Sequence, residues 1–111
     1  MQVEISELTV NQLNYAVAFC QWGEKYDEVD LKLIAMRQNY CRNWDSGGSL
    51  LAREGICTMC PSSGNFWDAR KASLGLPVRY WRGETLLIAA MRCYVGSSLQ
   101  SDVVDIPDSL N

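Results

Sequence analysis

The chain has 111 residues, 48% of them hydrophobic and 21% charged, with a net charge of −3, and this describes one folded domain rather than a disordered segment. No apolar run approaches the roughly 20 residues that a bilayer-spanning helix needs, and the weakly acidic total argues against bulk nucleic-acid binding. With no histidine, the chain lacks the commonest general base, the commonest metal ligand and the usual neutral-pH switch.

Taken in chain order, the alternation of Val3 and Ile5 predicts a short strand over residues 2–5. Thr9, followed three residues later by Gln12, reads as a capping box. Val10, Leu13, Val17 and Cys20 then recur at helical spacing, with Ala16 and Phe19 widening the stripe, and Gly23 reads as the stop. Residues 24–30 are acidic and are expected to loop out, so that Asp27, Glu28 and Asp30 are simply solvated. Residues 31–36 fit a strand or a short helix, because periodicity does not decide six residues. Residues 39–48 read as a loop with Asp45-Ser46-Gly47-Gly48 as its turn. Residues 50–53 fit either class. Residues 55–60 read as a strand, bounded by a turn cluster at 61–65. Phe66 and Trp67 open another extended piece, and residues 78–81 alternate as a strand does. A second helix starts near Glu84 or Thr85 and carries the stripe Leu87, Ala90, Met91, Tyr94 and Val95, with Gly96-Ser97-Ser98 weakening its last turn. Residues 102–106 read as a final strand or arm. The expected fold is α+β: two helices, residues 9–22 and 84–99, packed on a small, mostly antiparallel sheet in a single domain spanning residues 1–111.

Charge is unevenly placed. Residues 1–31 sum to −5, residues 32–82 to +5 and residues 83–111 to −3. This layout leaves a local anionic partner open to the basic middle, and self-association into a homodimer if the opposite charges segregate onto separate faces.

Three groups of residues invite a functional reading. The spacing of Cys57-Thr58-Met59-Cys60 suits a metal knuckle or a redox pair. Zinc would need further ligands, of which Cys41 is the third candidate, while Cys20 and Cys93 sit on the two helices, where burial explains them. Five cysteines without an export signal favour reduced thiols and no cofactor. Arg79, Trp81 and Arg82, with Arg70 and Lys71 nearby, combine charge with stacking, and so suit a small anionic ligand or a nucleic-acid single strand, the latter disfavoured by the net acidity; the bland alternative is a solvated strand face. Tyr40, Trp44 and Asp45 beside Gly47-Gly48 form a loop with aromatic anchors of the kind that makes a binding hot spot, or else a tryptophan folded back over the core. No serine or cysteine triad can be built without histidine, and there is no phosphate loop, so catalysis is not expected.

The run Gly83-Glu84-Thr85-Leu86-Leu87-Ile88-Ala89-Ala90-Met91-Arg92-Cys93-Tyr94-Val95 closely resembles a signature of the small NinX-like proteins of lambdoid phages. Three further segments match in the same order. Ser6-Glu7-Leu8-Thr9 with Leu13 and Ala16-Val17-Ala18 resembles the family's opening helix. Asn43-Trp44-Asp45 through Gly47-Gly48, Leu50-Leu51 and Glu54-Gly55-Ile56 resembles its central motif. Asp102-Val103-Val104 and Pro107 resemble its closing arm. The resemblance implies a phage or prophage protein of the bacterial cytosol, with no established activity and no catalytic residues to carry over. The expectation that follows is a non-enzymatic accessory protein that binds a host protein, with a sequestered anionic metabolite or signalling nucleotide, or a cysteine-zinc module, as alternatives.

Overall fold

The computed structural model describes residues 1–60, 64–71 and 79–110. Its first helix, α1 (Val10–Trp22), starts where the sequence places a capping box. The Thr9 hydroxyl accepts from the Gln12 backbone N–H at 3.3 Å, and the Gln12 side chain accepts from the Thr9 N–H at 3.0 Å. Leu13, Ala16 and Val17 are fully buried, but Phe19, expected on the same face, is left exposed. Gly23 ends α1 in a right-handed conformation, so it stops the helix without using glycine's access to positive φ.

The acidic stretch after it is the start of a second helix, α2 (Glu28–Gln38), and not a loop. Asp27 is its N-cap, accepting from the Asp30 N–H at 2.9 Å, and Glu28 and Asp30 sit in the first turn, where the helix dipole favours negative charge. Leu31 and Ala35, one turn apart, are the buried residues of α2. Asn39 closes it in the left-handed region, at φ 45°. Residues 31–36 are thus the middle of a longer helix, whose cap lies in a stretch that looks like solvated loop.

The chain then makes a wide turn over Trp44–Gly48 and a short helix, α3 (Ser49–Arg53). Strand β1 (Gln2–Glu4), at the start of the chain, pairs antiparallel with β5 (Val103–Asp105), setting Val3 opposite Val104. A three-stranded antiparallel sheet takes β2 (Ile56–Met59), β3 (Trp67–Lys71) and β4 (Trp81–Gly83) in that order, with Ala69 opposite Trp81. Trp81 begins its strand instead of ending it. Val78 and residues 61–63, part of the expected strand and turn, lie outside the described residues.

The last helix, α4 (Leu86–Leu99), is capped by Thr85, whose hydroxyl accepts from the Ile88 N–H at 3.1 Å. It lies across β2, β3 and β4 on one side and against α1 on the other, and α1 in turn packs on α2. The α+β class and the antiparallel pairing are as expected. The structure adds α2 and α3, divides the strands into two sheets, and makes α4 the element that joins helices to sheet. Ile5, Leu13, Val17, Met91, Val95 and Ile106 fill the centre of the core. Arg92 of α4 is buried among them: its guanidinium donates to the Arg82 carbonyl at 2.7 Å and to the Leu8 carbonyl at 3.2 Å, tying β4 and the turn before α1 to the same helix.

Candidate functional site

The loop between α2 and α3 is built from below by one buried side chain. Asn14 of α1 donates to the Asn39 side chain at 2.9 Å and accepts from the Cys41 N–H at 3.0 Å, so the entry to the loop is fastened to the core. Above it, the Asn43 side chain accepts from the Asp45 N–H at 3.0 Å, and the Gly47 N–H reaches the Asn43 carbonyl at 2.8 Å. The Ser46 and Ser49 hydroxyls donate to the Gln38 and Asp45 carbonyls, each at 2.6 Å. Gly47 is buried with the Tyr40 carbonyl where a Cβ would stand, so the turn closes this tightly only with glycine.

On this frame Trp44 is 60% exposed, its ring edge over Gly48. Asp45 is exposed beside it. Tyr40, read from the sequence as part of an exposed loop, is buried instead: it is the floor of the loop. Burial raises the Tyr40 pKa above the ordinary tyrosine value, and a hydrogen bond from Trp22 partly offsets this. Tyr40, Asp45, Trp22 and Arg53 line a cleft of about 240 Å³ next to the Trp44 turn. The structure therefore brings Tyr40 and Asp45 together at one cleft with Trp44 on its rim turn. Trp22 and Arg53 were missed because one lies at the end of α1 and the other in a segment whose class the sequence leaves open.

The second group comes together only in part: Arg79 meets Trp81, and Arg82 points away. Strand alternation on β4 turns Trp81 inward, where it is 5% exposed against α4, and Arg82 outward. Arg79 caps Trp81 from outside, its guanidinium carbon 4.0 Å from the ring centre, and is ion-paired with Asp102. Arg82 lies 3.5 Å from the Phe66 ring centre and 3.5 Å from an Asp68 carboxylate oxygen. Each arginine is thus occupied by its own aromatic and its own carboxylate.

The cysteines do not converge. Cys41 is buried beneath the loop and its thiol is pushed up to about 12 by burial, while Cys57 and Cys60 are exposed at β2. Among the described residues no three cysteine or carboxylate side chains come close enough to hold a metal ion.

What the geometry defines is a small α+β domain that presents an aromatic on a stiff turn beside a mixed-charge cleft. The chain belongs to the family described as Bacteriophage P22, NinX, whose model matches residues 4–98. It is in that sense a phage-type accessory protein. No curated protein is similar enough to the chain to stand as a relative. The match takes in the Trp44 turn, the cleft and all of α2, and no helix among the described residues is long and apolar enough to cross a membrane.

Proposed function

We propose that the chain is a non-enzymatic accessory protein that acts by binding a bacterial host protein in the cytosol, using the Trp44 turn and the adjoining cleft. The observation that carries this reading is the exposure of Trp44 on a turn held by several hydrogen bonds, from Asp45 and Gly47 N–H to Asn43 and from the Ser46 and Ser49 hydroxyls to backbone carbonyls. An exposed tryptophan on a flexible loop would lose much conformational entropy on docking. On a preorganised turn that cost is small, and tryptophan is the side chain most enriched at binding hot spots. Asp45 and Arg53 supply opposite charges at the rim, which suit a polar rim around an aromatic anchor. The lack of histidine supports binding over catalysis. The reading as a receptor for a small anion has less support, because Arg79 and Arg82 already face Asp102 and Asp68.

The test is affinity capture from host lysate with the wild-type chain and with Trp44→Ser, whose side chain lies outside the core. The expected result is a host protein retained in near-stoichiometric amount by the wild type and lost by the variant, with unchanged circular dichroism. An identical set of retained proteins for both, or none for either, would overturn the assignment.

A further inference from the structure

The outer face of α2 carries an apolar stripe that no described residue covers. Val29 is 65% exposed, Leu33 48% and Met36 75%; Tyr26, in the turn before the helix, and Trp22, at the end of α1, are also exposed and meet edge to face with centroids 6.3 Å apart. On α2 itself, positions 29, 33 and 36 step by four and then three, the spacing of a two-helix seam. The opposite face of α2, through Leu31 and Ala35, is already spent on the core. A second seam on one short helix is more than solubility requires, and contiguous exposed apolar surface marks an interaction site.

The charges beside this stripe indicate what covers it. Asp30 and Arg37 are seven residues apart, so they project on the same side of α2 and flank the stripe at opposite ends. Both are exposed, and neither side chain has an ion-pair partner among the described residues. Lys32, on the other flank, is turned away to Glu28 at 3.3 Å and to Ser109 at 2.6 Å. A helix with an acid at its N-terminal end and a base at its C-terminal end, on one edge of an apolar seam, is complementary to itself when reversed. In a two-fold antiparallel pair, Asp30 of one copy lies by the partner's Arg37, and Arg37 by the partner's Asp30.

We infer that a second copy of this chain covers the α2 face, through an isologous, antiparallel α2–α2 contact sealed at both ends by the Asp30–Arg37 pairs. The seam is short: an 11-residue helix extends about 16 Å. The contact belongs among weak, reversible interfaces rather than obligate ones, and a micromolar dissociation constant is the expected scale. Val29, Leu33 and Met36 do not line the cleft beside the Trp44 turn, so each copy of the pair keeps its own turn for another protein.

Sedimentation velocity on the full chain, from a few micromolar to several hundred micromolar, tests this directly. The expected result is a reversible shift from the 12.5 kDa monomer to twice that mass. Leu33→Glu, at an exposed position that leaves the core intact, is expected to raise the dissociation constant at least about tenfold. Arg37→Asp is expected to weaken the pair, and Asp30→Arg together with Arg37→Asp to restore it, because only the antiparallel arrangement sets these two positions against each other. A chain that remains monomeric at the highest concentration, a dimer indifferent to Leu33→Glu, or a double reversal no better than the single one would overturn the inference.

Discussion

The indole of Trp81 rests on the bare backbone of Gly96. A Cβ on Gly96 would stand 2.6 Å from Cε2 and Cη2 of the ring and closer still to Cζ2. The glycine that seems, from sequence, to weaken the last turns of α4 is the seat that lets β4 approach the helix. Gly96→Ala therefore sets two effects against each other. Alanine is favoured over glycine inside a helix by about 1 kcal/mol, whereas forcing volume into a packed contact costs about 1–3 kcal/mol and the rigid indole has little freedom to yield. Packing is expected to win, so that Gly96→Ala lowers stability in urea denaturation. In a Trp81→Leu background, where the ring is gone, the same change is expected to be neutral or stabilising. A stabilising Gly96→Ala in the wild-type chain would show that the indole is not held there.

Arg92 makes the second long-range tie. Its two terminal nitrogens reach the carbonyls of Arg82 and Leu8 in different segments, and its Nε has no partner among the described residues. Among the described residues its one ion-pair partner is Glu84, exposed and 3.9 Å away. The value of the side chain lies in its fork, which one ammonium group cannot reproduce. Arg92→Lys is thus expected to destabilise about as much as Arg92→Met, each by about 1–3 kcal/mol through an unsatisfied buried carbonyl. Chemical denaturation of the two variants checks this, and wild-type stability for the lysine variant would rule out the fork as the reason for arginine.

Both ties bear on how much was legible in advance. The caps at Thr9 and Thr85 are local: a hydroxyl and a backbone N–H three residues on, which the sequence displays directly. α2 was hidden because its N-cap, Asp27, sits in a stretch as acidic as any solvated loop, and because its two faces, one buried and one open, blur the single stripe that marks an amphipathic helix. The Trp44 turn was visible as aromatic next to glycine, yet the inward course of Tyr40 depends on Asn14, some 25 positions earlier, and no local pattern carries such a contact. Trp81 was misplaced for a related reason. Alternation says that Trp81 and Arg82 face opposite ways, but only the position of α4 says which way is in.

Asn14 offers a test of whether the turn must be stiff to work. Asn14→Ala removes both hydrogen bonds beneath the loop and leaves the buried Cys41 N–H without its acceptor. A loss of about 1–3 kcal/mol is expected, together with faster amide exchange at residues 41–47. If preorganisation is what makes the Trp44 turn a binding surface, this variant weakens host-protein capture while keeping the tryptophan itself. Full capture by a loosened turn would show that exposure alone suffices.

The thiols divide by burial. Cys20 and Cys41 are each pushed up to about 12 by desolvation, and Cys93 is raised for the same reason. Cys57, outside the core on β2, is exposed. At pH 8 an alkylating reagent is expected to modify Cys57 quickly and to leave Cys20, Cys41 and Cys93 intact until denaturant is added, as read by peptide mass analysis. Rapid native modification of Cys41 would mean that the floor of the loop opens readily.

Glu54, after α3, accepts from Lys71 of β3 at 3.1 Å and from Arg53 at 3.3 Å. The hydrogen bond and charge of Lys71, aided by Arg53, hold its carboxyl below the ordinary value of 4.5, against a smaller opposing effect of burial. A carboxyl depressed on folding stabilises the native state above its unfolded pKa, and that contribution fades as pH falls through the lower, folded value. The wild-type chain is therefore expected to exceed Glu54→Gln in melting temperature at pH 7, with the gap closing as pH drops below about 4.5. The pair is part-exposed and screened by solvent, so salt is expected to narrow the gap as well. Melting curves of both proteins between pH 7 and pH 3 decide the matter: a gap that stays constant with pH would assign the effect of the substitution to packing around the α3–β3 junction and not to the ion pair.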